Sequence, residues 1–341
     1  MPFKYMFNSS KALSKVVLSL AWLMVTGYGL YYLFNILLNT YAGKMSWQTP
    51  DFTAKSVVLV IILVSLMLIN WSIEALKWKM SIADIEYQSM LKALKATFVG
   101  VAISTWMPNR LGEYLGKVFF VKQHNRFKGA ISALFVSYTQ IIATTFFGLI
   151  GLLFYMLNFS DSGQMKWVAI FLPLVLLLMV IALSQKNKIR NIFANRNKYL
   201  RLFIITITRY GWQNSLKFIG LSALRFAVYN TQFVIALILF NVNLNFAEAF
   251  LMGSLIYGVQ TVIPSTALAG LGIRGALSVY FISLIAVDFA ETQVLSATYF
   301  IWTVNLLVPS FLGIIGLLLS PMRKDFKDIV LSWLKSKSVS A

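Results

Sequence analysis

The sequence predicts an all-α polytopic membrane protein, and three observations predict it. Of its 341 residues 59% are hydrophobic and 12% charged, where a soluble globular domain carries about 25% charged residues. Mean hydropathy is +0.75. Six uninterrupted apolar stretches, 16–38, 55–73, 129–157, 166–184, 217–240 and 293–319, are each long enough to cross a hydrocarbon core of about 30 Å at about 1.5 Å per helical residue. These residues form one membrane domain, 16–319, between an N-terminal segment, 1–15, and a basic tail, 320–341.

The first span follows Lys4, Lys11 and Lys15, as a signal peptide would, but it exceeds a normal apolar h-region and no small-x-small cleavage pattern comes after it. It reads as an uncleaved helix. Between the second and third spans the stretch 93–107 stops before Pro108, and between the fifth and sixth the stretch 249–263 stops before Pro264. Each is only about 22 Å long as a helix, too short to cross. Glycines, a basic residue and a second helix-compatible run follow in both cases, the pattern of a broken, re-entrant hairpin.

The distribution of Lys and Arg sets the orientation. If both hairpins return to the side they enter from, Lys44, Lys55 and Lys166 stand alone on one face and Arg110, Arg225 and Arg274 lie at membrane depth. The rest of the 30 Lys and Arg share the opposite face, including the basic cluster in 185–217. Both termini are then cytoplasmic, and the two hairpins enter from opposite sides as an inverted pair. A single crossing by either hairpin would break this asymmetry. Trp22, Tyr31, Tyr32, Tyr41 and Trp47 near the outer ends, and Trp71, Trp78 and Trp212 near the inner ends, are expected in interfacial belts. The external connections, 39–54, 158–165, 241–248 and 288–292, are too short for a catalytic domain outside the membrane.

Composition removes several chemistries. There is no cysteine and a single histidine, His124, so no disulfide framework, thiolate nucleophile or Cys/His metal site is expected, and no cofactor is implied. The net charge of +19 lies on one membrane face, where it meets anionic lipid rather than nucleic acid.

Two constellations carry the functional reading. In the first, Pro108-Asn109-Arg110-Leu111-Gly112-Glu113-Tyr114-Leu115-Gly116-Lys117, the proline ends one half-helix and starts another inside the membrane. The free amides of that new N-terminus favour an anion, and Arg110 adds a forked donor. Arg110, Glu113 and Lys117 share one helical face, while Gly112 and Gly116 admit a neighbouring backbone or a lipid headgroup. In the second, Pro264 is followed by Gly270, Gly272 and Arg274. Arg225 stands on the fifth span, where it either snorkels to the interface or enters the cavity beside Asn230 and Gln232. Glu74 and Lys77 read as an interfacial i,i+3 pair, and Asn70, Gln140, Asn230, Gln260 and Asn305 as helix-to-helix hydrogen bonds, with the lining of a polar path as the alternative.

These residues resemble the flippase-like transmembrane region of lysylphosphatidylglycerol synthases and its stand-alone relatives. Pro108, Arg110, Gly112 and Glu113 match that family's Pro-x-Arg-x-Gly-Glu stretch. Pro264, Gly270, Leu271, Gly272 and Arg274 match its Pro followed by Gly-Leu-Gly-x-Arg-Glu, and Glu74-Ala75-Leu76-Lys77-Trp78-Lys79 is similar to its basic-Trp-basic segment. The resemblance spans about residues 10–320. Two positions depart from it: Gly275 stands where the family often has Glu, and Gly116 where it usually has Arg, with Lys117 adjacent.

The resemblance implies a bacterial plasma-membrane protein, without an aminoacyl-transferase domain, that moves a lipid between leaflets rather than an enzyme that modifies one. Its partner would be a membrane lipid, namely an anionic or aminoacylated phospholipid or a polyprenyl phosphate, and a lipid-modifying enzyme would be a fitting supplier. Arg110, Glu113, Lys117, Arg225 and Arg274 are the expected headgroup residues, and Pro108, Gly112, Gly116, Pro264, Gly270 and Gly272 the expected hinges. A membrane scaffold, a polyprenyl-phosphate-dependent glycosyltransferase using Asp51, and a small-solute channel remain alternatives.

Overall fold

A computed structural model describes residues 24, 27–32, 34–36, 38–39, 47–105, 111–159, 210–263 and 267–319. Most of the expected first span, the span 166–184, the basic segment 185–209, the tail 320–341 and Pro108, Arg110 and Pro264 lie outside these residues. Among the described residues the chain is helical and contains no strand. Helices α1 (Ala54–Ile82), α2 (Met90–Ser104), α3 (Leu111–Phe119), α4 (Arg126–Phe159) and α5 (Trp212–Leu239) are followed by α6 (Phe246–Val262), α7 (Ala267–Ser283), α8 (Glu291–Trp302) and α9 (Val308–Leu318). A π-helical turn, Thr303–Leu307, joins α8 to α9.

Four of the resulting helical stretches, Ala54–Ile82, Gln123–Phe159, Trp212–Leu239 and Glu291–Leu318, are long and apolar enough to cross a membrane. They coincide with four of the six spans read from the sequence. Large apolar side chains such as Ile61, Phe311 and Leu157 stand 60%, 64% and 63% exposed on their outer faces. So many exposed apolar residues would be untenable in water and are ordinary against lipid. The molecule is an all-α membrane protein.

Local sequence starts three of these helices, α1, α2 and α6. Thr53 accepts from the Ser56 N–H, Ser89 from the Lys92 N–H, and Asn245 from the N–H groups of Ala247 and Glu248, satisfying donors that a helix start leaves open. The Asn245 cap, with Glu248 in the first turn where the helix dipole favours an acid, begins α6 three residues before the apolar run at 249. With 17 residues α6 is therefore about 26 Å long, more than the run alone implied. The π turn precedes Pro309, which lacks the N–H that the Asn305 carbonyl would otherwise bind, and a widened turn absorbs that loss.

Two helix pairs fold back on themselves. Gln88, just before α2, donates from Nε2 to the carbonyl of Phe120, just after α3, at 2.8 Å. Nearby, the Glu86 carboxylate accepts from the Lys122 N–H and from Lys92. Burial pushes that carboxyl up, but the Lys122 N–H and the Lys92 ammonium outweigh it and hold it below its ordinary range. The α6–α7 pair closes at the other end of the molecule, where the Val287 N–H donates to the Asn243 carbonyl and Asn241 donates to Asp51, beside the start of α1. Each pair thus begins and ends at one end of α1, and the two pairs use opposite ends.

Close backbone contact holds these elements. A Cβ at Gly116 would fall on the backbone of Gly100, so α3 lies directly on α2. Gly148 of α4 and Gly258 of α6 meet in the same way, the close approach that small residues permit between helices in lipid. Two of the aromatic residues expected at the interface are instead in the interior. Trp78 is fully buried and donates from Nε1 to Gln88, and Trp71 is buried beneath Arg225, because α1 continues to Ile82 and carries both inside the bundle. Trp212 is exposed, as an interfacial residue would be.

Candidate functional site

The two folded pairs meet α1, α4, α5 and the π turn around a cavity of about 480 Å³. A cavity of that size suits a small ligand or a headgroup. Its wall includes Glu113 from α3, Arg225 and Tyr229 from α5, Gln260 from α6, and Arg274 from α7. Glu113, Arg225 and Arg274, which lie far apart in the chain, are therefore brought to one space.

One side of the site is organised by Glu74. Its Oε1 accepts from Lys117 Nζ at 2.6 Å, and its Oε2 from Lys77 Nζ at 3.2 Å, with Arg225 Nη1 at 3.5 Å. The carboxylate, Lys77 and Lys117 are almost completely buried, and Arg225 keeps 14% of its side chain accessible. A charge removed from water is tolerated only with close partners and hydrogen bonds. This cluster supplies them from three helices, α1, α3 and α5. Gln140 of α4 extends it, its Oε1 accepting from Lys77 and Arg225 and its Nε2 donating to the Ser222 carbonyl. The Arg225 guanidinium also covers the Trp71 ring, 5.2 Å from its centroid.

Arg274 holds the other side. Its Nε donates to Gln260 Oε1 at 2.9 Å and its Nη1 to the Tyr229 hydroxyl at 2.7 Å, while the Tyr257 ring centroid lies 5.4 Å from the guanidinium carbon. Gln260 Nε2 in turn donates to the Gly270 carbonyl, which fixes the amide's orientation. Arg274 is thus tied to its own hairpin through Gln260 and to α5 through Tyr229. Asn305, in the π turn, accepts from Asn70 and completes the wall between these two poles.

The structure sorts the residues singled out in the sequence. Lys117 stands behind the cavity in an ion pair with Glu74, and Arg110 lies outside the described residues. Arg225 lines the cavity, but its partners there are Gln140 and Glu74 rather than Asn230 and Gln232, since Asn230 bonds Phe250 and Ser254 and Gln232 bonds the Leu63 carbonyl. Gly112 and Gly116 lie within α3, packed on α2, while Gly270 and Gly272 lie within α7. Asn70, Gln140, Gln260 and Asn305 join helices and also line the cavity.

Glu74 and Lys77 are not an exposed interfacial pair. Sequence reading missed their part in the site because the apolar run ends at 73, whereas the helix continues for nine further residues. A signal was present: three cations at depth require an acid, and the chain has only 11 Asp and Glu.

Gly275 points away from the cavity. A Cβ there would lie 2.5 Å from Tyr299 Oη and 3.1 Å from Leu295 Cδ2 on α8, so a Glu at this position would meet α8 first. The Tyr299 hydroxyl is buried with no hydrogen-bond partner among the described residues. Tyr299→Phe is therefore expected to be neutral or stabilising by up to about 1 kcal/mol, since it removes an unsatisfied polar atom. Gly275→Ala alone should destabilise by about 1–3 kcal/mol through overpacking, and less in the Tyr299→Phe background. Thermal denaturation of the four proteins in detergent measures this coupling, and equal costs in both backgrounds would contradict it.

Compared with known proteins, the chain matches no family model and no curated sequence.

Proposed function

We propose that this protein moves a lipid between membrane leaflets, passing its phosphate-bearing headgroup through the cavity between the two hairpins while the acyl or prenyl tails stay in the bilayer. The observation that carries the reading is the pair of guanidinium groups, Arg225 and Arg274, in the wall of one cavity inside a lipid-facing helical bundle. Guanidinium groups bind phosphate through forked, charge-assisted hydrogen bonds, and ionisable groups at membrane depth mark substrate pathways. Hairpins that open toward opposite ends are the arrangement in which alternating access is built around a central site.

In this reading the chain has six full spans and two re-entrant hairpins, with both termini in the cytoplasm of a bacterial cell. The grouping of chain ends supports it. Asp51, Asn241 and Val287 gather at one end of α1, and Gln88 and Phe120 at the other, as the distribution of Lys and Arg requires. Likeness to the flippase-like region of lysylphosphatidylglycerol synthases in the residues quoted above points the same way.

The test is reconstitution in liposomes containing fluorescent lipids, with leaflet exchange read by dithionite quenching. Wild type is expected to accelerate exchange, and the Arg225→Ala, Arg274→Ala double variant to lose about tenfold or more of that acceleration. Folded wild-type protein that accelerates no lipid in a panel of anionic, zwitterionic and aminoacylated headgroups would defeat the proposal.

A further inference from the structure

The charge balance of the cavity restricts what it can carry. Among the described residues six charged side chains stand in its wall or directly behind it: Lys77, Lys117, Arg225 and Arg274 against Glu74 and Glu113. Four formal positive charges thus face two negative ones. No other acid among the described residues is in a position to compensate. Asp51, Asp84, Glu86 and Asp288 lie in connections between helices, and Glu248 and Glu291 in the first turns of α6 and α8.

The excess is also unevenly held. Glu74 is closest to Lys117 and Lys77, and its contact with Arg225 is the longest of the three at 3.5 Å. Arg225 is the cation of that cluster that reaches the cavity, and its Nε, like Nε1 of the Trp71 beneath it, is a buried donor with no partner among the described residues. A carboxylate already served by two lysines can release Arg225 without becoming unpaired. Arg274 is oriented by Gln260 and by Tyr229, which stands one turn from Arg225 on α5, and neither partner neutralises it. Unneutralised charge away from water is costly, and an anion with acceptor oxygens would offset it.

We infer that the cavity selects headgroups of net negative charge, of the phosphate monoester or diphosphate type, that Arg225 exchanges Glu74 for a phosphate oxygen when the headgroup enters, and that aminoacylated headgroups are rejected. This rests on the translocation reading and narrows its substrate class. A zwitterionic or cationic headgroup brings its own positive charge into a cavity that already has an excess. Only the anionic class lowers the total.

The experiment separates the lipid from a free anion, and binding from movement. Full-length protein in detergent is titrated with dihexanoyl phosphatidic acid, dihexanoyl phosphatidylcholine, lysylphosphatidylglycerol and inorganic phosphate, with thermal stability as the readout. The same headgroups, on labelled long-chain lipids, are then assayed in liposomes. Phosphatidic acid is expected to raise the melting midpoint at concentrations at least about tenfold below those needed with the zwitterionic or lysylated lipid.

Arg225→Gln, which leaves Glu74 with both lysines and lowers the excess charge, should fold and should weaken that response about tenfold. Arg225→Lys should restore part of it. Equal or stronger stabilisation by phosphatidylcholine or the lysylated lipid would overturn the inference. Stabilisation by inorganic phosphate with no response to phosphatidic acid would assign the site to a soluble anion and overturn it as a headgroup site. Charge-selective binding with no leaflet exchange would sink the translocation reading and leave the selectivity standing.

Discussion

Glu74→Gln is expected to be the most damaging single substitution in the described residues, costing about 3–5 kcal/mol of stability. The side chain keeps its size, so packing is not at issue. What changes is that Lys117 at 2.6 Å, Lys77 at 3.2 Å and Arg225 at 3.5 Å lose their shared carboxylate. All three come from helices buried against one another, and Lys77 and Lys117 have essentially no access to solvent. Gln offers one acceptor oxygen, enough for one ammonium, and turns an N–H₂ donor toward another cation, an unfavourable meeting in a medium of low dielectric. Like charges that the carboxylate had screened then repel directly.

The purified variant in detergent should melt roughly 10 °C or more below wild type. Glu74→Asp, which keeps the charge but shortens the reach, should fall between the two. Lys117→Met in the Glu74→Gln background should recover part of the loss, because it removes the cation that lay closest to the missing charge. A midpoint within about 2 °C of wild type for Glu74→Gln would mean that the cluster is relieved by water or an ion and that the carboxylate is not its organiser.

The same cluster shows where sequence reasoning reached and where it stopped. Helical class and the four described membrane-length helices were legible, because each is written in uninterrupted apolar runs. Arg225 and Arg274 were legible as well, since an arginine within an apolar run has few places to go. The hub at Glu74 was not. Apolarity ends at residue 73, and a charged i,i+3 pair beyond that point looks like a helix end in water, whereas α1 runs on to Ile82 and Trp78 packs at its far side. Nothing local distinguishes the two situations.

The partner that makes Glu74 a buried acid, Lys117, lies 43 positions away on α3, and its approach depends on how closely that helix lies against α2. Tyr229 escaped notice as a cavity residue for the same reason, and Gln140 and Gln260, which could line a polar path or join helices, do both. Their roles arise from contacts between helices, on which a single sequence carries no register. For Gly112 and Gly116 the spacing suggests both a hinge and the close approach of a neighbouring backbone, and in the structure they set the distance between two helices.

That distance gives the second large expected effect. Gly116→Ala should reduce leaflet exchange far more than it reduces stability. The added Cβ would fall on the Cα and N of Gly100, and the neighbouring contact leaves little room either, since a Cβ at Gly100 would lie 2.8 Å from the Glu113 carbonyl oxygen. Both sides of this contact are backbone, so no side chain can rotate away, and α3 must move from α2 or tilt. Overpacking of this kind costs about 1–3 kcal/mol.

The functional loss follows from what flanks the glycine. Lys117 is the next residue and makes the shortest bond to Glu74, while Glu113 lies one turn earlier in the cavity wall. Any shift of α3 therefore reaches the charge cluster and the headgroup space together, and misplacement by about 1 Å can lower a rate by about a hundredfold. Gly220→Ala is the matched control, because nothing lies within 4 Å of its Cβ on the exposed face of α5, and replacing a helical Gly there should be neutral or stabilising by up to about 1 kcal/mol. Thermal denaturation and the liposome assay on the two variants provide the comparison. If Gly116→Ala transports at the wild-type rate, the α2–α3 contact has no hold on the cavity, and Lys117 must be kept in place by Glu74 alone.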